Sequence, residues 1–425
     1  MPYTGSTDKH SRARERLRTR IPSLRQNFAW AFCGNFIYAG CQWVMMSSVA
    51  KFGGPRVLGE FTIGFAIAAP IFMFSNLQLR AVQATDIKGE YSFAQYFSLR
   101  LICTFLGFGM ILLTLPWLGN IHAVRGVIAL VALSKSIECM SDVTAGFLQQ
   151  RELLNRVSIS QIIRGVSSAS LFAITFKITK NLEFALIVVC LVWLATFIFY
   201  DLVNVIMHME RPVRFFTIET RSLRRLAMLG LPLGWAATFA SIYVNVPRYF
   251  LQHYRGYSGQ GIYAALAYMV VGINLIAVAL SAAASTRLAR LYVEQDFRGF
   301  LRIVGRLCAI GGGIGVFGVL LTLAIGRPLL RLIYSEEYAE HVQLLAGFVA
   351  VASVSAIGTF LFCGLTAARM FRAQAPVYLV AVVAGLVGAT ILVPRYGLGG
   401  GAWSLFLSVS TVMIGGILLL RRTIS

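Results

Sequence analysis

Charge is scarce in this sequence, and acid is scarcer than base. Of 425 residues only 13% are charged, while 57% are hydrophobic. Soluble domains carry about 25% charged residues, so most of this chain cannot face water. There are 17 Asp and Glu against 38 Lys and Arg, a formal net charge of +21. On a soluble protein that excess would point to nucleic acid. Here the basic residues lie mostly between apolar runs. Cytoplasmic loops of membrane proteins collect them there, and there they attract anionic lipid headgroups. Nucleic acid is not an expected partner.

Other absences narrow the reading further. No two of the seven cysteines (Cys33, Cys41, Cys103, Cys139, Cys190, Cys308, Cys363) form a CxxC pair. They stand apart in or beside apolar runs, as small packing residues rather than disulfides or metal ligands. The five histidines (His10, His122, His208, His253, His341) have no metal-binding spacing, so no metal site is expected. There is no Walker motif, which excludes direct drive by ATP, and no cofactor is implied. No secretory signal peptide opens the chain, because Arg12, Arg14, Arg16, Arg18, Arg20 and Arg25 precede the first apolar run. The strict apolar–polar alternation of a transmembrane β-strand is missing as well.

Long apolar runs are present instead, such as Phe184 to Phe199 and Ile310 to Ile325. A helix needs about 20 apolar residues to cross a bilayer, and in lipid it satisfies its own backbone hydrogen bonds. The expected class is therefore all-α and polytopic. Twelve helices are predicted, at about 28–49, 57–78, 94–116, 124–148, 158–177, 183–207, 226–250, 258–284, 300–325, 341–366, 374–393 and 398–420. Gly54-Pro55, Arg211-Pro212 and Pro394-Arg395 mark junctions. With the N-terminus inside, inner segments hold about 25 Lys and Arg and outer segments about ten, which puts both termini in the cytoplasm.

The longest connection, 208–225, divides the chain. The expected organisation is a basic cytoplasmic tail (1–27), an N-lobe of helices 1–6 (28–207), a linker (208–225), a C-lobe of helices 7–12 (226–420) and a short C-terminal tail (421–425). Weak repeat signals agree with this division. Ser23-Leu24-Arg25 precedes helix 1 and Ser222-Leu223-Arg224 precedes helix 7. Gly59 with Phe61 opens helix 2, and Gly261 with Tyr263 opens helix 8. An even number of helices per half fits two parallel repeats. Outer loops are short, the largest being 326–340, which leaves no room for an extracellular domain.

Ionisable residues at bilayer depth are expensive and mark candidate sites. Helix 4 carries Lys135, Glu138 and Asp142, spaced to share one face. Helix 3 contributes Arg100, helix 5 Arg164, and helix 7 ends with Asn245, Arg248 and Tyr249. Two readings stand side by side. Lys135 could pair with Glu138, and Arg100 or Arg164 with Asp142, simply pinning helices together, while Arg248 could anchor at the outer interface. Alternatively, these groups line a polar, net-positive cavity between the halves. Arg binds phosphate oxygens through its planar fork, and a carboxylate beside it could exchange protons or hold a cation. On this reading Arg100, Lys135, Arg164 and Arg248 bind substrate, and Glu138 and Asp142 couple to an ion gradient.

Several segments carry a resemblance. Leu79 to Tyr96 reads LRAVQATDIKGEYSFAQY, and Lys135 to Gln149 reads KSIECMSDVTAGFLQ, followed by Ser160 and Arg164-Gly165. Leu229 to Phe250 reads LGLPLGWAATFASIYVNVPRYF, and Leu329 to Tyr338 reads LLRLIYSEEY. In order and spacing these resemble bacterial lipid-linked oligosaccharide flippases of the polysaccharide transporter family. That family shares a superfamily with the multidrug and toxin extruders and the peptidoglycan-precursor flippases. The resemblance implies two six-helix lobes in a V, like those of the extruders, and alternating access. Its implied cargo is a polyprenyl-pyrophosphate glycan moved from the inner to the outer leaflet of the bacterial cytoplasmic membrane. It names polysaccharide polymerase and glycosyltransferases as candidate partner enzymes. Two rivals are kept: a multidrug antiporter of the same superfamily, disfavoured by a net-positive cavity, and a membrane-embedded polymerase or glycosyltransferase, disfavoured by short outer loops.

Overall fold

The computed structural model describes residues 24–86, 89–117, 124–209, 214–368, 370 and 373–424. Most of the expected basic tail (1–27) lies outside these residues, as do Lys88, His122, Arg211, Pro212, Arg369, Arg372 and Ser425. Among the described residues every regular element is helical.

The first half runs α1 (Leu24–Ser75), a short α2 (Leu79–Thr85), α3 (Phe93–Thr114), α4 (Arg125–Gln150), α5 (Leu154–Thr179), α6 (Leu182–Thr196) and, after a π-helical turn at Phe197–Leu202, α7 (Val203–His208). The second half runs α8 (Thr220–Met269), α9 (Val271–Val293), α10 (Phe297–Ile333), α11 (Glu336–Ala339), α12 (Val342–Ala367), α13 (Gln374–Tyr396) and α14 (Leu398–Ile424).

Nine stretches among the described residues are long and apolar enough to cross a membrane. α4 is not one of them, because it carries Arg125, Lys135, Glu138 and Asp142. Two of the nine are too long for one crossing, at 57 residues (Ala29–Thr85) and 66 residues (Thr220–Ser285). At about 1.5 Å per residue, either would extend well beyond a core about 30 Å thick. Each bends back at one glycine. Gly54 takes φ 75° and ψ −179°, and Gly256 takes φ 67° and ψ −170°. Positive φ of this kind is open to glycine and strained for other residues. Pro55 follows the first bend and cannot donate a helical hydrogen bond there.

Side chains such as Phe105, Leu113, Phe199, Phe317 and Leu320 are well exposed on the flanks of the bundle. So much exposed apolar surface fits lipid, not water. The connection expected at 326–340 is shorter than the sequence suggests. α10 continues to Ile333 in spite of Pro328, and Arg331 Nε then pairs with Glu336 Oε2 at 2.7 Å across the turn into α11.

The halves meet along α1 and α8. Where both helices bend, a Cβ added at Gly59 would fall 1.9 Å from the Tyr257 carbonyl oxygen, and one added at Gly261 would fall 1.9 Å from that of Pro55. Thr62 Oγ1 donates to Gln260 Oε1 at 3.0 Å just beyond. Toward the opposite end, Gly230 packs against Leu77, and the Phe74 and Trp235 rings lie 4.8 Å apart. Phe93 and Phe97 contact Phe215, and Ser98 Oγ accepts from the Thr217 backbone at 2.9 Å.

Candidate functional site

α4 organises the charged cluster. Lys135 Nζ pairs with Glu138 Oε2 at 2.6 Å, and the Tyr38 hydroxyl donates to Glu138 Oε1 at 3.1 Å. One turn further on, Asp142 accepts from two arginines: Arg80 Nη1 to Oδ1 at 3.1 Å, and Arg100 Nη2 to Oδ2 at 3.2 Å. Arg80 also reaches Gln149 Oε1 at 3.2 Å. The shared face expected for Lys135, Glu138 and Asp142 is thus present.

Arg100 has the setting of a clamp. Its side chain is 0% exposed. Nη1 donates to the Asn76 backbone oxygen at 3.0 Å and to the Asn76 side-chain oxygen. It therefore ties α3 to the end of α1 and to α4, and in this conformation it cannot touch a cargo. This departs from its expected place among the substrate-binding cations. A buried guanidinium needs a countercharge, and the acid that pairs with it is Asp142, although its Nε keeps no hydrogen-bond partner.

Arg164 differs. It is only 7% exposed, yet its Nε and Nη1 have no hydrogen-bond partner. Its guanidinium carbon lies 5.3 Å from both the Tyr38 and Trp193 ring centroids, within cation–π range. No carboxylate approaches it within 4.0 Å among the described residues. With Tyr38, Glu138, Asp142, Ser160 and Asp201 it lines a cavity of about 80 Å³. A water needs roughly 10–15 Å³ of such space, so the cavity has room for several waters but not for a sugar. It lies inside the first half, whereas the sequence reading places these groups in a space between the halves.

Asp201 is a carboxylate that the sequence reading misses. It sits in the π-helical turn, 3% exposed, accepting from Ser160 Oγ at 2.5 Å and from Ser141 Oγ. A signal for it exists: a lone acid in the apolar run FIFYDLVNVI. Arg80, read from sequence as a loop residue, also joins the cluster through α2.

Arg248 stands apart, on α8. It is half-buried, its Nε has no partner, and no acid lies within 4.0 Å among the described residues. Lys135 Nζ lies 5.5 Å from the Phe65 ring of α1. Among the described residues no three His, Cys, Asp or Glu side chains are grouped to hold a metal ion.

The sequence matches the family described as "Polysaccharide biosynthesis protein" over residues 24–286. It is 26% identical over 397 residues to the capsular polysaccharide biosynthesis protein CapF of Staphylococcus aureus, covering 92% of this chain and 97% of that protein. Among solved structures, the lipid II flippase MurJ in an inward closed conformation superposes with a TM-score of 0.73 at 10% identity, covering 91% of this chain and 86% of MurJ. An inward-facing multidrug resistance MATE transporter of the MOP superfamily gives 0.71 at 15% identity, covering 97% and 98%. The chain therefore belongs to the polysaccharide biosynthesis protein family, as a multi-pass membrane protein with the fold of the MATE and MurJ transporters.

Proposed function

We propose that the protein is a flippase, moving a polyprenyl-pyrophosphate-linked oligosaccharide from the inner to the outer leaflet of a bacterial cytoplasmic membrane. The observation that carries this reading is the presence of under-paired cations within a transporter fold. Arg248 has no acid partner among the described residues, and Arg164 keeps two unpaired N–H groups. A pyrophosphate supplies the acceptors such groups lack. Splitting α1 and α8 at their glycine bends and counting α4 yields twelve crossings, in lobes 28–207 and 226–420. The arginine-rich connections then put both termini in the cytoplasm. Rocking of the lobes about the α1–α8 seam would expose the cargo to each side in turn, and the proposed ion-coupling group is one of the cluster's carboxylates, Glu138 and Asp142 as read from the sequence, together with Asp201, which the structure adds. Polymerase and glycosyltransferases are the proposed partner enzymes, with anionic headgroups at the basic loops. The protein itself is a secondary transporter on this reading and carries out no catalysis.

Four cations of the cluster (Arg80, Arg100, Lys135, Arg164) face three carboxylates (Glu138, Asp142, Asp201), which favours an anionic cargo over a cationic drug. The test is deletion of the gene in its host, with lipid-linked glycans analysed leaflet by leaflet. Retention of a polyprenyl-pyrophosphate glycan on the cytoplasmic side, with loss of surface polymer, supports flipping. Single repeat units collecting on the outer side would move the assignment to a polymerase.

A further inference from the structure

A second cavity is remote from the charged cluster. It is a groove of about 890 Å³ in the second half, at the end of the bundle where α1 and α8 bend. Two walls form it. Leu344, Gly347 and Val351 present one face of α12, and Gly399, Ala402 and Phe406 one face of α14. The seven steps from Gly399 to Phe406 give it a depth of about 10 Å at 1.5 Å per residue. Its mouth is polar. Arg255 packs its guanidinium against Gly397 beside His341, Gln343 and Glu340, and Arg255 has no carboxylate within 4.0 Å among the described residues. Trp403 stands 59% exposed at its flank.

The matching offsets in the first half carry larger side chains. Leu130 stands five residues into α4 and Leu186, 1% exposed, four residues into α6. Five residues into α12 stands Gly347, and four residues into α14 stands Ala402. Glycine and alanine at these two places go with a groove that has a charged mouth and an apolar floor.

We propose that this groove holds the isoprenyl-phosphate end of the lipid-linked cargo in the leaflet opposite the chain termini. The inference rests on the flippase reading and adds a site to it. Arg255 offers a fork to a phosphate, with His341 beside it, while Glu340 and Gln343 can accept hydrogen bonds from sugar hydroxyls. Below them the small residues on both walls make room for a methyl-branched chain, which is broader than a straight acyl chain. The mouth lies next to the Gly256 bend, so occupancy would be felt at the seam between the halves.

The test uses the full chain in nanodiscs of phosphatidylethanolamine and phosphatidylglycerol, with diazirine-tagged geranylgeranyl phosphate as the probe and mass spectrometry of the labelled peptides. Label is expected in 342–351 and 398–406. Gly347→Leu should abolish most of it. A Cβ at Gly347 meets nothing within 4 Å, so the substitution fills the groove without disturbing the fold. Arg255→Gln should reduce labelling by the phosphate probe and leave labelling by tagged geranylgeraniol unchanged. Should a variant fail to fold, competition by untagged geranylgeranyl phosphate on the unaltered protein decides. Label elsewhere, label indifferent to competition, or equal labelling of these peptides by a diazirine phosphatidylglycerol would overturn the proposal. If the deletion strain retains its glycan inside while the groove takes no label, flipping stands and the groove assignment alone fails.

Discussion

Gly59 and Gly261 pack backbone to backbone, each occupying the space where the other helix's carbonyl would meet a Cβ. The glycine bends beside them, Gly54 and Gly256, are separated by the same 202 positions (54 to 256, 59 to 261). One structural unit thus occurs twice, and its two copies close one end of the seam. At 1.9 Å from a backbone oxygen, an added methyl cannot be absorbed by a side chain turning away. Overpacking costs about 1–3 kcal/mol, which corresponds to a shift of roughly five- to 150-fold in population. Gly261→Val should therefore favour the state with this end apart. In a cysteine-free background, Thr62→Cys, buried beside the seam, should become reactive to a membrane-impermeant thiol reagent only when Gly261→Val is also present. Equal reactivity with and without that change would mean the seam does not open here.

Arg100 and Asp142 should behave as a structural pair. Removing one partner of a buried ion pair costs about 3–5 kcal/mol, because the other charge is left uncompensated. Arg100→Met and Asp142→Asn should each lower the melting temperature in detergent, and the double variant should cost less than the sum of the two. Strict additivity would show that the 3.2 Å contact contributes no coupling.

Much of this was legible in the sequence, and the misses have physical causes. Apolar runs announced the helices because backbone in lipid has few alternatives. The i, i+3, i+7 spacing put Lys135, Glu138 and Asp142 on one face because helix geometry leaves no choice. The repeat was legible only as Gly59–Phe61 and Gly261–Tyr263, a weak pattern whose meaning lies in a backbone contact between the halves. Sequence could not say which arginine would claim Asp142. Arg80 and Arg100 do, because α2 and the turn at Asn76 bring them there, and Arg164 is left to aromatic rings. Nor could spacing separate an enclosed space inside the first half from a cleft between halves. The groove on α12 and α14 is also silent in sequence, since glycine and alanine in an apolar helix ordinarily mean close packing.

Lys135→Ala, Arg164→Ala and Arg248→Ala should leave membrane insertion intact and lose most transport, measured as appearance of the lipid-linked glycan in the outer leaflet of a complemented deletion strain. Lys135→Arg should restore part of it, since the charge is kept while the geometry changes. Normal transport by all three alanine variants would remove these cations from the cargo path.

Asp142 and Asp201 should part company in gradient dependence. Asp142 is held between Arg80 and Arg100, whereas Asp201 has only the neutral hydroxyls of Ser141 and Ser160 as hydrogen-bond partners among the described residues. A carboxylate fixed by two cations stays charged through a transport cycle, while one held by hydroxyls can gain and lose a proton or a small cation at lower cost. In proteoliposomes with an imposed proton or sodium gradient, Asp201→Asn should therefore flatten the dependence of transport on the gradient with the fold retained. Asp142→Asn should act first on stability, and any loss of gradient dependence at matched folded protein would restore it as a coupling group. If transport by Asp201→Asn keeps its full response to both gradients, coupling at Asp201 is ruled out and Glu138, held by Tyr38 and Lys135, is the next acid to test.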